Sequence, residues 1–152
     1  MSYKKIWDKT LSSDEKLEYE FSIGSRYRTL GIIVWSVLSL LLLFVGGLGV
    51  LVFLIALFYY GFYLKVANAY AFTDKRVLIH RGWLSTNTTS VDYHKITDVH
   101  IEEPLFDRLI TKTGNIAINT AGSNAKEISL QHVELPYEVK KKLDALKDRA
   151  KV

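Results

Sequence analysis

The sequence predicts an α+β chain: a two-helix transmembrane hairpin, then a small, strongly bent β-sheet or barrel of about seven strands capped by a C-terminal α-helix. Three observations carry this. Residues 29–64 contain no charged side chain and are bounded by Arg28 and Lys65. Beyond them come short runs rich in β-branched residues, punctuated by turns. From Pro136, the residues Val139, Leu143, Leu146 and Ala150 then fall on one apolar helical stripe. The expected organisation is an N-terminal segment (1–28) with one strand at about 16–22, a hairpin (29–66), and a domain (67–152) with its helix at 136–150.

One straight helix through the uncharged run would measure about 54 Å, against a hydrocarbon core of about 30 Å. The run is interrupted by Gly46-Gly47-Leu48-Gly49, and glycine lets a chain reverse tightly. Two spans are therefore expected, Thr29–Val45 and Val50–Val66, joined by a turn at 46–49. A soluble core hairpin of this length would show a polar face. A cleaved signal peptide fits poorly, because a polar segment precedes the run and the run is too long. Arg26 and Arg28 flank the run on one side and Lys65, Lys75 and Arg76 on the other, while the turn has no charge. The positive-inside rule then places both ends in the cytoplasm, in a two-span protein of the cell membrane. Tyr27, Tyr59, Tyr60, Phe62 and Tyr63 suit an aromatic belt at that face, and Trp35, set deeper, suits packing between the spans.

Ahead of the hairpin, Tyr3, Ile6, Trp7 and Leu11 share a helical face with lysines on the other, which reads as a short interfacial helix or a frayed terminus. Ser12-Ser13-Asp14 is a break. Leu17, Tyr19 and Phe21 then alternate with Glu18, Glu20 and Ser22, the period of a half-buried strand. A lone strand is unstable, so it must pair with the domain beyond the hairpin.

After the spans, strands are expected at Tyr70–Thr73, Arg76–Arg81, Thr86–Tyr93, Ile96–Ile101, Ile116–Thr120 and Glu127–Val133, with Ile128 and Leu130 inward. Turns fall at Asp74-Lys75, Gly82-Trp83 and Ala121-Gly122-Ser123-Asn124. Ile96, Val99 and Ile101 break strict alternation and imply a bulge. Pro104–Ile110 reads as an irregular or single-turn helical link. Pro136 suits the first position of the closing helix.

Strands followed by a closing helix is the layout of pleckstrin-homology (PH) domains. Tyr70-Ala71-Phe72-Thr73-Asp74-Lys75-Arg76-Val77, then Arg81-Gly82-Trp83-Leu84-Ser85, then Tyr93-His94-Lys95-Ile96-Thr97-Asp98-Val99 resemble the bacterial PH-like family of membrane-flanked proteins. Arg108-Leu109, Gly114-Asn115-Ile116 and Thr120-Ala121-Gly122-Ser123 continue the pattern, as does the hairpin upstream; the likeness covers about residues 14–147. That family has glycine soon after its Arg-Leu-hydrophobic triplet. Here Thr111-Lys112-Thr113 comes first, so a longer or differently bent loop is expected. The resemblance implies a fold and a membrane location but no activity.

The chain has no cysteine, which removes disulfides and thiol chemistry. Acids nearly balance bases in the domain, so there is no footprint of a nucleic-acid binder. His80, His94, His100 and His132 lack metal-ligand spacing and suit solvent-facing strand positions. Glu102, Glu103 and Asp107 suit a solvated loop, and Lys140–Lys142 a solvated helix face. The glycine run is not a phosphate loop, since no strand precedes it and no Lys-Ser/Thr follows. No enzymatic constellation and no cofactor or metal are implied.

Two functions from different classes remain. The first is a non-enzymatic module that offers an edge or loop to a protein partner, or to a second copy of itself, at the membrane. The second is a sensor of anionic lipid headgroups, for which Lys75, Arg76 and Arg81 are the nearest basic set, with Trp83 as an apolar wedge if its loop faces the membrane. A part in envelope stress or antimicrobial-peptide tolerance is implied only at the level of the family.

Overall fold

The computed structural model describes residues 3–45, 47–121 and 128–150. A short helix α1 (Lys4–Trp7) leads to strand β1 (Leu17–Ser22) and then to two long helices, α2 (Ser25–Leu42) and α3 (Leu48–Ala67). Six more strands follow: β2 (Asn68–Thr73), β3 (Arg76–Arg81), β4 (Asn87–Asp92), β5 (Ile96–Glu102), β6 (Thr113–Thr120) and β7 (Ile128–Glu134). Helix α4 (Pro136–Arg149) ends the fold.

The strands form two antiparallel sheets, β1-β2-β3-β4 and β5-β6-β7. An Ile23–Val133 bridge links the first to the second. Their inner faces meet in one core, with Tyr70, Phe72, Val77 and Ile79 from the first sheet and Ile116, Ile118, Leu130 and Val133 from the second. Helix α4 closes the open end with Val139, Leu143 and Leu146. The expected stripe stops there, because Ala150 lies beyond the end of the helix and is exposed.

Strand β1 joins the sheet across the hairpin, as its alternation requires. Tyr19 pairs with Phe72 and Phe21 with Tyr70, and the three rings Tyr19, Phe21 and Phe72 stand 5.1–6.2 Å apart. Leu17 does not follow the alternation. The register shifts between Leu17 and Tyr19, and Leu17 is left exposed. The bulge expected in the 96–101 strand is present, between Ile96 and Asp98.

The N-terminal segment is not a frayed end. Trp7 is 1% exposed and packs with Ala69, Ala71 and Leu78 on the outer face of the first sheet. Alternation along β2 sends Tyr70 and Phe72 inward and Ala69 and Ala71 outward. The two alanines leave room for an indole, so β2 is buried on both faces.

Both long helices are long and apolar enough to cross a membrane, by length and composition. Helix α2 starts about one turn earlier than expected, at Ser25, and so includes Arg26 and Arg28; α3 starts at Leu48 and runs to Ala67. Gly46 lies outside the described residues. Gly47 turns the chain with φ 79°. Gly49, expected in the turn, is instead inside α3, where a Cβ would come within 2.1 Å of the Ser39 carbonyl oxygen. It permits close helix crossing rather than reversal. The Leu57–Tyr63 stretch of α3 is wound as a wider π-type helix.

Candidate functional site at the base of the hairpin

The two long helices are tied to the domain where they enter it. Gly24 joins β1 to α2, and its amide donates to the His132 carbonyl at 2.8 Å. A Cβ at Gly24 would meet the Thr113 side chain at 2.6 Å, so the joint presses directly on β6 and β7. One residue further, Ser25 Oγ donates to Glu134 at 3.0 Å, and Arg26 pairs with the same carboxylate at 3.5 Å. The Tyr27 ring stacks on His132 at 3.7 Å. His132 sits in left-handed backbone (φ 47°), and its Nδ1 is 3.4 Å from Asp107. This chain of contacts links α2, β7 and the β5–β6 linker.

On the other side, the Ser22 and Tyr3 hydroxyls donate to the Lys65 carbonyl at 3.3 and 3.2 Å. Trp83, in the β3–β4 loop, meets Phe58 and Phe62 edge-on at 5.7 and 5.5 Å. Tyr60 lies 6.4 Å from Tyr27 and accepts from Trp35 Nε1 at 3.3 Å, so these three residues form an aromatic layer between the two helices. Trp35 reaches the second helix, as expected, yet remains 40% exposed. Trp35, Val52, Ile55, Ala56, Tyr59 and Tyr60 line an apolar crevice of about 350 Å³ between the helices.

The four sequence-selected surface residues do not converge. Arg76 and Arg81 open and close β3, about 17 Å apart at the rise of a strand. Lys75 is exposed in the β2–β3 turn, at the end of the sheet away from the helices. Arg76 beside it is committed: its Nε and Nη2 donate to the Glu15 carboxylate at 2.9 and 2.7 Å. The Glu15 side chain is 1% exposed and also accepts from Thr73 Oγ1 at 2.7 Å and the Ser12 amide at 3.1 Å. The Arg76 guanidinium and these donors hold the carboxyl down at about 2, and Glu15 in turn raises Arg76 above its ordinary value. Arg81 donates to the Ser129 carbonyl across to the second sheet. Trp83 alone of the four touches the long helices.

The other sequence-selected groups sort by burial. His94 and His100 face solvent as expected, and His100 pairs with Asp98 at 2.9 Å. His80 does not. It is 8% exposed on the outer face of β3, its Nδ1 is 3.1 Å from Thr88 Oγ1, and burial lowers its pKa. Asp107 turns inward to His132 rather than joining Glu102 and Glu103. Lys140 and Lys141 pair with Asp144 and Glu138, while Lys142 lies over the Tyr19 ring at 3.6 Å. No cluster of metal-ligating side chains occurs among the described residues. The expected turn at 122–124 and Glu127 lie outside them.

Sequence reasoning missed Glu15, Tyr27 as a stacking partner, His132 and the linker. Only Glu15 had a signal, as the one acid placed between a break and a strand. In the loop that leads into β6, Lys112 adopts φ 53°, a conformation that favours glycine. The Thr111 hydroxyl steadies it by donating to the Asp107 carbonyl at 2.9 Å, as does Leu135, whose amide donates to the Lys112 carbonyl at 3.1 Å.

The fold is similar to two crystal structures. One is a protein with a pleckstrin-homology domain from Shewanella loihica PV-4: TM-score 0.50, 12% identity, 95% of this chain and 92% of that chain covered. The other is a pleckstrin-homology domain from Shewanella amazonensis SB2B: TM-score 0.52, 13% identity, 95% and 84% covered. Among curated proteins none matches. The model of the bacterial PH domain family matches residues 24–151, and that span takes in the hairpin base, the aromatic layer and both sheets after β1: the chain belongs to that family.

Proposed function

We propose that the chain is a membrane-anchored, non-enzymatic PH-like module, held in the cell membrane by α2 and α3 with both termini in the cytoplasm. Its domain presents a surface at the membrane face to a protein partner, a second copy of this chain included. Exposure is the observation that carries the anchoring. Only 6% of the apolar window of α2 and 17% of that of α3 is buried against the rest of the protein. Leu40, Leu41, Phe44, Leu51, Leu54 and Ile55 are each more than half exposed. A soluble protein would cover such helices, because contiguous apolar patches beyond a few hundred Å² mark interaction surfaces.

Pairing between β1 and β2 adds a topological argument. One strand precedes the hairpin and the other follows it, so the two ends share a side. Arg26, Arg28 and Lys65 at that end favour the cytoplasm. The PH family supports a non-catalytic interaction role. Strands β4 and β5 each pair on one side only among the described residues, and a free strand edge suits a protein partner. Headgroup sensing through Lys75, Arg76 and Arg81 has less support, because Arg76 is paired with Glu15 and Arg81 bonds Ser129.

The test is site-specific photo-crosslinking in native membranes, with the crosslinker at Asn87 or Ser90 on the β4 edge and at Asp144 on α4 as control. The expected result is a discrete protein adduct from the edge positions, in the carbonate-resistant membrane pellet. Recovery of the protein in the carbonate supernatant overturns the anchoring. Adducts absent from the edge overturn the edge as the partner surface.

A further inference from the structure

Among the described residues, the β5–β6 linker carries the largest exposed apolar group outside the two long helices. Leu105 is 71% exposed, Phe106 79%, Leu109 73% and Ile110 54%. Their spacing is i, i+1, i+4, i+5, one face of a helix, and residues 105–111 are helical, with Asp107–Thr111 wound as a π-type turn. Between Pro104 and Lys112 the one acid is withdrawn from that face. Asp107 turns to His132, at 3.4 Å, and its side chain is only 18% exposed. The remaining charges, Arg108 and Lys112, are basic and exposed. Apolar and cationic groups face outward together, and the carboxylate faces inward.

The linker's place in the fold says what covers this face. It packs against α2, and the Asp107–His132–Tyr27 chain ties it to the first turn of that helix. That turn is where the basic residues Arg26 and Arg28 give way to the uncharged run. The linker is therefore level with the boundary between polar and apolar solvent. Against α3, Trp83 meets Phe58 and Phe62, and Leu84 beside it is 89% exposed.

We infer that residues 105–110 form a second, peripheral membrane anchor, whose apolar face lies among phospholipids at the headgroup–acyl boundary of the leaflet that α2 leaves. The occupant is bilayer lipid. An amphipathic turn with apolar and basic residues outward suits that zone, and Arg108 and Lys112 favour anionic headgroups. With the Trp83 loop packed on α3, this anchor sets the tilt of the domain against the membrane. The inference rests on the anchoring proposed above.

The experiment places single cysteines at Phe106, Leu109, Leu41 and Lys75 in the full chain, which has no cysteine of its own. Each carries an environment-sensitive NBD label, and the chain is reconstituted in phosphatidylcholine vesicles with and without phosphatidylglycerol. Leu41 reports on the hairpin, and Lys75 on the far end of the sheet. The expected result is blue-shifted emission at Leu41, Phe106 and Leu109 that is largely lost when the lipids carry brominated acyl chains, with Lys75 water-like throughout. A larger blue shift at Phe106 with phosphatidylglycerol supports the basic contribution; no change removes that part. Quenching at Leu41 with water-like emission at Phe106 and Leu109 overturns the second anchor and leaves the hairpin standing. Water-like emission at Leu41 overturns both. Shielded Phe106 and Leu109 probes that bromine does not quench, and that become water-like as protein is diluted into excess lipid, show a contact between copies instead and overturn the lipid assignment.

Discussion

Glu15 accepts four hydrogen bonds, from Ser12, Thr73 and twice from Arg76, while almost wholly out of water. That arrangement turns a charge on a strand end into a structural clasp, pinning the segment after α1 to the β2–β3 turn. Removing one partner of a buried pair leaves the other uncompensated. Replacement of Glu15 by Gln is expected to destabilise the detergent-solubilised chain by about 2–3 kcal/mol at neutral pH, read from urea midpoints. The sign of the pH dependence follows from the folded value of about 2 against an ordinary 4.5. The stabilisation is fully present above about pH 4.5 and is lost as pH falls toward about 2. The gap between wild type and Glu15→Gln should therefore narrow across that window; a constant gap contradicts the clasp. His80 acts at milder pH. Its depressed value means that the unfolded chain takes up protons first as pH falls below about 6.5. His80→Gln should flatten the loss of stability between about pH 7 and pH 5, and an unchanged slope assigns that loss elsewhere. Among the described residues Lys75 has no such structural partner, and Lys75→Ala is expected to leave stability unchanged within about 0.5 kcal/mol.

Elements differ in how much of them could be read from residues. Strand β1 was legible from its alternation alone, because Tyr19 and Phe21 point at the core that Phe72 and Tyr70 fill. The long helices were legible because no charge interrupts residues 29–64. The docking of α1 was not. Whether Trp7 meets lipid, solvent or protein depends on the outer face of β2, and Ala69 and Ala71 signal a docking surface only once the register is known. Gly49 misled for a related reason, since a glycine beside a turn and a glycine at a helix crossing look alike in a sequence. The linker was read as a connection because its apolar residues form too short a run for periodicity to separate a surface turn from a core one. Trp7→Ala should cost about 3 kcal/mol by emptying an indole-sized site on the sheet. Residues 67–152 without β1 should be less stable to urea than the same domain with residues 14–24 joined to it by a flexible linker. Equal midpoints for the two forms would mean that β1 contributes nothing to the sheet.

The whole molecule is organised around a chain that leaves its domain and returns to it. Strand β1 is placed first, the two helices depart and come back, and β2 then pairs with β1. The Gly24 joint and the Tyr27–His132 stack fix the exit of α2, and the Ser22 and Tyr3 bonds to Lys65 fix the return of α3. The hairpin and the domain are thus welded rather than linked by a flexible tether. This order was legible in outline, since a lone strand upstream of the hairpin had to find a partner beyond it. The weld was not, because Tyr27, His132 and Asp107 are distant in sequence and none has a signature alone. Whether the hairpin crosses the membrane and returns is decided by the sidedness of two single cysteines in intact cells and inverted vesicles. Leu48→Cys, at the start of α3, should react with a membrane-impermeant maleimide from outside the cell only. Lys75→Cys, at the far end of the sheet, should react only in inverted vesicles. Labelling of both positions from one and the same side would exclude a hairpin that crosses the membrane.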